Sequence, residues 1–212
     1  MKVGVIDYGV GNLGSVLKAL ETLRVIPFLA GNPADLGTCD VLILPGVGNF
    51  TECMQILRAA GWEDEIKEEV LNKEKPLLGI CLGMQLLAEF GNEGSVKTEG
   101  TPGLGFIPGK IKALKEMGCE IRIPHMGWNS VNFTKDSALF KDIPPGTDFY
   151  FVHSYGFETG ASKDIEATTK YGIEVVAAVG NGKIWGTQFH PEKSSRAGLK
   201  VIKNFLEIAE QC

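Results

Sequence analysis

Short apolar runs alternate with segments of helical periodicity along the first ninety residues. The runs fall at residues 2–7, 26–30, 41–44 and 76–80. Residues 12–24 place leucine and valine side chains on one helical face, and residues 51–72 contain helical material that is interrupted near Gly61. Because alternating strands and helices build a parallel sheet with helices on both faces, this pattern predicts an α/β fold.

The second half of the chain has a different pattern, in which strand-like runs follow one another. These runs fall at residues 106–115, 129–133, 148–152, 165–169, 173–179 and 183–189, with a turn predicted at Asn181-Gly182. Ser194 or Ser195 is predicted to cap a final helix. Its apolar face is formed by Leu199, Ile202, Phe205, Leu206 and Ile208. We therefore expect additional antiparallel strands in this half, and one domain over residues 1–212.

Composition and charge narrow the class of protein. The 212 residues include 44% hydrophobic side chains, enough for one substantial core. A net charge of −5, from 21 basic and 26 acidic residues, argues against a nucleic-acid surface. The N-terminus has an acid at Asp7 and no signal-peptide core, and no apolar run approaches the ~18 residues of a membrane helix. We therefore predict a cytoplasmic protein that binds neither nucleic acid nor membrane.

The five cysteines include no CxxC pair, and their number is odd. They therefore fit neither a disulfide framework nor a zinc site with the usual ligand spacing. Four of them are expected to be reduced, and either structural or merely exposed, namely Cys39, Cys53, Cys119 and Cys212. The sequence also shows no sign of a metal or an organic cofactor, so none is predicted.

Cys81 stands apart because of its surroundings, PLLGICLGMQLL over residues 76–87. A strand-like run precedes it, a helical run follows, and the G-x-C-x-G spacing has the form of a nucleophile elbow. A helix that begins at Leu82 directs its free N–H groups at the sulfur, which favours a thiolate, and the Leu82 amide is placed to bind an oxyanion. The alternative is that Cys81 is one more buried small apolar residue.

A thiol nucleophile needs a base, and the sequence contains three histidines. His190 is followed by Glu192, and residues i and i+2 of an extended chain project to the same side. A carboxylate there fixes the imidazole tautomer and stabilises the imidazolium, so we predict a triad of Cys81, His190 and Glu192. His125 and His153 have no acid at i+2, and we interpret them as structural residues.

A glycine-bracketed loop follows the run at residues 41–44. It reads Pro45-Gly46-Val47-Gly48 and is expected at the carboxyl end of a strand, where open α/β sheets bind their ligands. The N–H groups of Gly46, Val47 and Gly48 are candidates for a second oxyanion donor, worth roughly 2.7–4 kcal/mol of transition-state stabilisation. The alternative is an ordinary tight turn.

Residues 45–48, 76–87 and 188–192 together resemble the class I (triad) glutamine amidotransferase domain, in its order of oxyanion loop, cysteine elbow and His-x-Glu. Runs at residues 7–12, 124–129, 150–155 and 189–194 are similar to the glutaminase subunits of imidazole glycerol phosphate synthase, from histidine biosynthesis. The resemblance implies a flavodoxin-like, doubly wound, mostly parallel sheet. It also implies a glutaminase that forms a thioester, and a heterodimer in which a separate (β/α)8-barrel cyclase uses the ammonia to make imidazole glycerol phosphate and the aminoimidazole carboxamide ribonucleotide.

The resemblance also assigns residues to binding. Gln85, Glu93 and Ser154 are expected to contact the α-amino and α-carboxylate groups of L-glutamine. The predicted docking face for the cyclase comprises Val10, Asn12, Trp128 and Lys193, with an ordinary core aromatic as the alternative for Trp128. Val47 is bulkier than the small residue that many members of the class carry, so we expect an oxyanion loop that is badly formed without the partner, and low glutaminase activity of the isolated chain.

Two other functions stay open from the sequence. The chain could supply ammonia to another acceptor synthase, although the runs at residues 124–129 and 150–155 argue against this. It could also be a non-catalytic α/β binding module, or a redox sensor built around a reactive cysteine. The predicted triad argues against a silent module.

Overall fold

Two β-sheets form the framework of the protein in a computed structural model, which describes residues 1–133 and 137–211. The strands are β1 (Val3–Ile6), β2 (Pro27–Ala30), β3 (Val41–Gly46), β4 (Leu77–Cys81), β5 (Ala88–Gly91), β6 (Thr101–Pro102), β7 (Ile107–Ala113), β8 (His125–Phe133), β9 (Thr147–His153), β10 (Tyr155–Thr159), β11 (Ile165–Tyr171), β12 (Ile173–Asn181) and β13 (Ile184–Thr187). The α-helices are α1 (Leu13–Thr22), α2 (Phe50–Ala59), α3 (Trp62–Lys67), α4 (Leu82–Leu86) and α5 (Ser195–Ala209).

The larger sheet has the strand order β2-β1-β3-β4-β13-β12-β11-β8-β9. Its first five strands are parallel, and from β13 to β9 each neighbouring pair is antiparallel. The predicted α/β fold, with a parallel sheet and antiparallel strands added by the C-terminal half, is therefore confirmed.

Helices cover both faces of the parallel strands. On β3, Leu42 and Leu44 pack in the same cluster as helices α2 and α3, whereas Val41 and Ile43 pack with helices α1 and α5. Each of these four side chains is fully buried. Strands buried on both faces are apolar at consecutive positions, which explains why the sequence shows continuous runs there instead of alternation.

The helices lie where the sequence predicts them, except that α3 continues into a π-helical turn and α4 is shorter than expected. Gly61, at φ +76°, separates α2 from α3, as the predicted interruption required, and α3 continues into a wider π-helical turn at Glu68–Asn72. The helix after Cys81 is shorter than expected, because α4 ends at Leu86 and the chain turns directly into β5. In the described part of the chain, no helix has the length and apolar character needed to cross a membrane.

The smaller sheet has the order β10-β7-β5-β6, and three of its strands were not predicted. β6 has only two residues, and β5 and β10 have four and five, so none carries a periodic apolar pattern of useful length. β10 begins two residues after β9 ends and pairs with β7 instead of the larger sheet. The segment between these two strands, around Ser154, therefore passes from one sheet to the other.

Candidate active site

Strand order brings the three predicted motifs to one edge of the larger sheet. β3, β4 and β13 are parallel neighbours, with β4 in the middle. Their registers pair Gly46 with Cys81 and Thr187 with Ile80. The glycine loop, the cysteine and the segment that leads to His190 therefore leave the sheet side by side, at the carboxyl ends where α/β sheets bind ligands.

Cys81 occupies a strained turn between β4 and α4. Its backbone has φ +56° and ψ −110°, a conformation that L-residues rarely adopt and that costs about 1–3 kcal/mol. The flanking glycines allow this turn because the backbone packs tightly there: a Cβ on Gly79 would lie 2.6 Å from the carbonyl oxygen of Gly83, and one on Gly83 would overlap the carbonyl of Leu44. The turn places the Cys81 side chain on the wall of a cavity.

This cavity, about 240 Å³ in volume, lies at the carboxyl edge of the sheet. It is lined by Val47, Gly48, Cys81, Leu82, Gln85, Glu93, Val152, His153, Ser154, Tyr155, His190 and Lys193. Most of the residues that the sequence assigned to chemistry or glutamine binding therefore share one space. Gly46 lies beside it, paired with Cys81, and Glu192 lies behind His190.

His190 is buried between the carboxylate and the thiol. Its Nδ1 donates to Glu192 Oε1 at 2.8 Å, and the side chains of His190 and Glu192 are 3% and 1% exposed. Burial by itself lowers the pKa of His190, but hydrogen bonds to Cys81 and Glu192 outweigh it and raise the pKa to about 9. With Nδ1 bonded to Glu192, His190 has Nε2 available for the thiol.

Ser194 has a different role from the predicted helix cap. It is the residue that precedes α5, but its side chain makes no cap hydrogen bond. Its hydroxyl donates to the carbonyl of His190 at 2.6 Å and accepts from the backbone N–H of Tyr150 at 2.9 Å. The prediction that Ser194 or Ser195 caps the helix is therefore wrong for Ser194, because the hydroxyl is used to attach the His190 segment to β9. Ser195 lies within α5 at φ +51°.

His125 and His153 form a buried pair on neighbouring strands. His125 Nδ1 and His153 Nε2 are 2.9 Å apart, and the ring of His125 stacks between Phe151 and Tyr171. Burial lowers the pKa of His125 to about 4 and that of His153 to about 3. His125 therefore fits the structural role that the sequence predicted. His153 also lines the cavity, next to Ser154.

Gln85 and Gln188 connect the cavity wall to the sulfur. Gln85 Nε2 lies 3.1 Å from the carbonyl of Tyr155 and 2.9 Å from Gln188 Oε1, and Gln188 Nε2 lies 3.9 Å from Cys81 Sγ. Both glutamines are buried. The sequence analysis identified Gln85 through the resemblance but missed Gln188, which immediately precedes Phe189-His190. Gln188 follows the last residue of β13, beside the end of β4, and that neighbourhood depends on the strand order.

Glu93 and Ser154 both line the same cavity. The carboxylate of Glu93 accepts from the backbone N–H of Phe50, at the start of α2, and burial raises its pKa despite that hydrogen bond. Ser154 occupies the crossing between β9 and β10, where its carbonyl accepts from Leu114. A negative group and a polar backbone segment thus face the cavity, as an amino acid ligand requires.

The glycine loop approaches the cysteine closely. A Cβ on Gly46 would lie 2.8 Å from the backbone nitrogen of Gly83, so only glycine fits at this contact. Val47 is 37% exposed at the cavity, and its carbonyl accepts from the Cys53 thiol at 3.6 Å. Leu82, which follows Cys81, is almost fully buried.

The four residues predicted to dock the cyclase differ in exposure. Trp128 is 55% exposed and packs edge to face against Tyr150, so the alternative that it is a core aromatic is wrong. Val10 is half-buried against the core, Asn12 is half-buried, and Lys193 lines the cavity. Met126, two residues before Trp128 and therefore on the same face of β8, is 61% exposed. An apolar surface thus lies on the strands beside the cavity.

The remaining cysteines are in the core where the structure describes them. Cys39, Cys53 and Cys119 are buried, free thiols, in agreement with the prediction. Cys212 lies outside the described residues.

Comparison with known proteins identifies relatives along almost the whole chain. The model of the glutamine amidotransferase class-I family matches residues 5–209. The chain is 45% identical to imidazole glycerol phosphate synthase subunit HisH 1 of Campylobacter jejuni (strain 81-176), covering 97% of this chain and all of that protein. It is also 45% identical to subunit HisH of Moorella thermoacetica, covering 97% of this chain and 94% of that protein.

Solved structures share the fold at lower sequence identity. A glutamine amidotransferase crystal structure matches with a TM-score of 0.76 and 22% identity, covering 99% of this chain and all of the other. The PurLQS structure from Thermotoga maritima matches with a TM-score of 0.74 and 20% identity, covering 98% of each chain. At these identities the likeness concerns the fold.

Proposed function

The chain belongs to the class I glutamine amidotransferase family and, within it, to the HisH subunits of imidazole glycerol phosphate synthase, and we propose that Cys81, His190 and Glu192 carry out its glutaminase reaction. The observation that carries this proposal is the shared cavity. Cys81 and His190 line it together, and Glu192 bonds to the far nitrogen of the imidazole.

The first half of the reaction forms a thioester. The Cys81 thiolate attacks the side-chain carbonyl carbon of L-glutamine, and His190, protonated at Nε2, gives its proton to the departing nitrogen. Ammonia leaves, and the γ-glutamyl group stays on the sulfur. A pKa of about 9 suits this step, because the imidazole holds the proton beside the thiolate at neutral pH.

The second half of the reaction releases glutamate. His190, now neutral, takes a proton from a water molecule that attacks the thioester carbonyl, and the thiolate leaves. Glu192 keeps the hydrogen on Nδ1 and stabilises the imidazolium formed in this step. Ammonia and glutamate therefore leave in separate steps.

The oxyanion of both steps faces the glycine loop. We assign Leu82, whose amide follows the nucleophile, as one donor, and the Gly46, Val47 and Gly48 segment as the source of the other. The contact between Gly46 and Gly83 supports this assignment, because it holds the loop against the elbow. Each well-placed donor contributes roughly 2.7–4 kcal/mol to the transition state.

Substrate recognition uses the remaining walls of the cavity. Glu93 is the counter-ion for the α-ammonium group of glutamine. Gln85 contributes only its Oε1, because both hydrogens of its amide are donated to Tyr155 and Gln188. Ser154 and its backbone neighbours face the α-carboxylate.

The ammonia goes to a (β/α)8-barrel cyclase subunit in a heterodimer, with Val10, Asn12, Trp128 and Lys193 at the docking face. The exposed aromatic surface at Trp128, beside the cavity, supports this arrangement. In the cyclase, the ammonia converts the phosphoribulosyl formimino ribonucleotide to imidazole glycerol phosphate and the aminoimidazole carboxamide ribonucleotide. Residues 1–212 act here as a single domain, and the need for a reduced nucleophilic thiol fits a cytoplasmic location.

The proposal is tested by labelling with a glutamine-analogue electrophile and by measuring glutamate release. Cys81→Ser should abolish labelling and lower glutaminase turnover by roughly 10³-fold or more. The matched control is Cys119→Ser, a buried free thiol elsewhere in the core, which should keep both. Labelling that persists in Cys81→Ser, or a chain that reacts with peroxide and ignores the analogue, contradicts the proposal.

A second measurement tests the partner and the loop. Glutamate release is measured for the chain alone, then with the barrel subunit and its nucleotide ligand. We expect the rate to rise when the partner and ligand are added, because Val47 restricts its loop and its carbonyl is held by Cys53. Equal rates would contradict the idea that the partner completes the oxyanion loop, and failure to co-purify with the cyclase would contradict the heterodimer.

A further inference from the structure

The backbone carbonyl of Tyr155 fixes the direction of the hydrogen bonds around the cavity. A carbonyl oxygen only accepts, so the side chains that bond to it must donate. Gln85 Nε2 lies 3.1 Å from this oxygen and His153 Nδ1 lies 2.7 Å from it. The amide orientation of Gln85 and the tautomer of His153 therefore follow from one group of the backbone.

The first branch from this carbonyl leads to the nucleophile. Gln85 Nε2 donates its second hydrogen to Gln188 Oε1 at 2.9 Å. Gln188 therefore turns its Nε2 the other way, where it lies 3.9 Å from Cys81 Sγ. Gln188 is 0% exposed, so a rotated amide would leave buried polar atoms without partners, at a cost of about 1–3 kcal/mol.

The second branch leads away from the cavity through two imidazoles. Since His153 Nδ1 donates to Tyr155, its Nε2 accepts from His125 Nδ1, and His125 Nε2 accepts from Asn129 Nδ2. The orientation of Asn129 is set independently, because its Oδ1 accepts from the Ser130 N–H. The branch is thus determined at both ends, and it holds the Tyr155 carbonyl in place for Gln85.

We propose that Gln188 is a positioning residue of the nucleophile, whose amide N–H, directed by Gln85 and the Tyr155 carbonyl, holds the Cys81 sulfur in its anionic form. An N–H donor binds a charged acceptor about twice as strongly as a neutral one. The carbonyl of Val152, 4.0 Å from the sulfur, favours the protonated thiol instead. Gln188 therefore opposes that arrangement. This inference rests on the proposed role of Cys81 and adds an assignment to the same site.

The test measures alkylation of Cys81 by iodoacetamide as a function of pH in the full chain, with the modified peptide identified by mass spectrometry. Gln188→Glu keeps the size and the acceptor for Gln85 but puts a carboxylate oxygen against the sulfur. Gln188→Leu removes both hydrogen bonds. We expect the rate of Cys81 alkylation, measured on the rising part of the wild-type pH profile, to fall about tenfold in Gln188→Leu and further in Gln188→Glu, because a donor to the anionic sulfur is lost in both.

The matched control is Asn204→Leu. Asn204 is also a buried amide, but it lies on α5 and donates to the carbonyls of Leu139 and Lys141. This variant should lose stability, as Gln188→Leu does, and keep the wild-type alkylation profile. Gln188→Glu adds one carboxyl group beside the sulfur. The other titratable groups near the sulfur are the same in all these variants, namely Tyr8, Glu93, His153, His190, Glu192 and Lys193.

Two outcomes overturn the inference in distinguishable ways. A wild-type alkylation profile in both Gln188 variants overturns it and leaves the proposed glutaminase function intact. A wild-type chain whose Cys81 ignores the glutamine analogue overturns the proposed function, and the inference with it. A shifted profile in the Gln188 variants, with none in Asn204→Leu, supports the inference.

Discussion

His190 and His153 line the same cavity, both are almost fully buried, and their pKa values move in opposite directions. The pKa of His190 rises to about 9 and that of His153 falls to about 3. Burial lowers both values, so the difference comes from the partners. His190 meets a thiol and a carboxylate, whereas His153 meets a carbonyl and the neutral ring of His125.

One cavity thus holds two imidazoles whose pKa values move in opposite directions. In a poorly solvated site, an imidazole keeps a proton only where a negative partner compensates for the lost water. His190 has that compensation and can move a proton. His153 lacks it and stays neutral, which lets its two nitrogens act as one donor and one acceptor in a fixed chain.

The largest expected effect is on glutaminase activity, which should depend strongly on His190 and weakly on His125. His190→Gln should lower glutaminase kcat/KM by roughly 10³-fold or more, because the proton donor and acceptor of both steps is lost. His125→Gln, which changes one of the two neutral histidines, should lower kcat/KM by less than about tenfold. Steady-state kinetics with the cyclase bound measures both variants. Comparable losses in the two would remove the distinction.

Removing the charge of Glu192 should lower the pKa of His190 and so reduce its difference from His153. Glu192→Gln keeps a hydrogen-bond acceptor for Nδ1 but removes the carboxylate, so the pKa of His190 falls from about 9, and only the interaction with Cys81 is left to oppose burial. We expect kcat to fall roughly 10²-fold or more. NMR titration of the imidazole measures the pKa, with Glu207→Gln on α5 as the control. An unchanged titration of His190 would contradict this account.

His190 and the two neutral histidines should also give pH dependences of stability with opposite signs. His125 and His153 are harder to protonate in the folded state than in the unfolded chain. The folding stability that depends on their neutral forms is therefore fully present above about pH 6.5 and is lost as pH falls towards 4 and 3. His190 has a raised pKa, so its contribution is fully present below about pH 6.5 and is lost as pH rises through 9.

Thermal unfolding between pH 4 and 7 checks the acid side of this expectation. The midpoint for the wild type should fall as the pH decreases, and His125→Gln should flatten that fall, since one of the two neutral imidazoles is gone. An equally steep decrease in His125→Gln would show that carboxylates elsewhere control acid unfolding.

The smallest expected effect is at Asn129, the outermost residue hydrogen-bonded to the pair of neutral histidines. Asn129→Ala removes the donor to His125 Nε2, but Asn129 is only half-buried, so water can replace it. We expect a loss of about 1 kcal/mol or less in the free energy of unfolding. Urea unfolding measures it, with Asn132→Ala, exposed on the same strand, as the control. A loss of several kcal/mol would mean that the hydrogen bonds through His125 and His153 depend on Asn129 for their donor–acceptor direction.

The sequence by itself determined the parts of the site that are local in the chain. The elbow around Cys81, the loop at residues 45–48 and the pair His190 and Glu192 depend on neighbours within a few residues, where glycine sterics and the two-residue period of a strand act directly. The order of strands and helices in the first half followed from runs buried on both faces. The family resemblance supplied the reaction.

Tertiary structure decided what depends on contacts between distant residues. Gln85 and Gln188 are 103 positions apart, and only the register of β13 against β4 brings Gln188 towards Cys81. Ser194 fits a helix cap in the sequence, but its hydroxyl reaches β9 instead, 44 positions away. Burial and long-range hydrogen bonds fix which histidine holds a proton and which amide faces the sulfur, because both depend on the dielectric surroundings and partners that folding assembles.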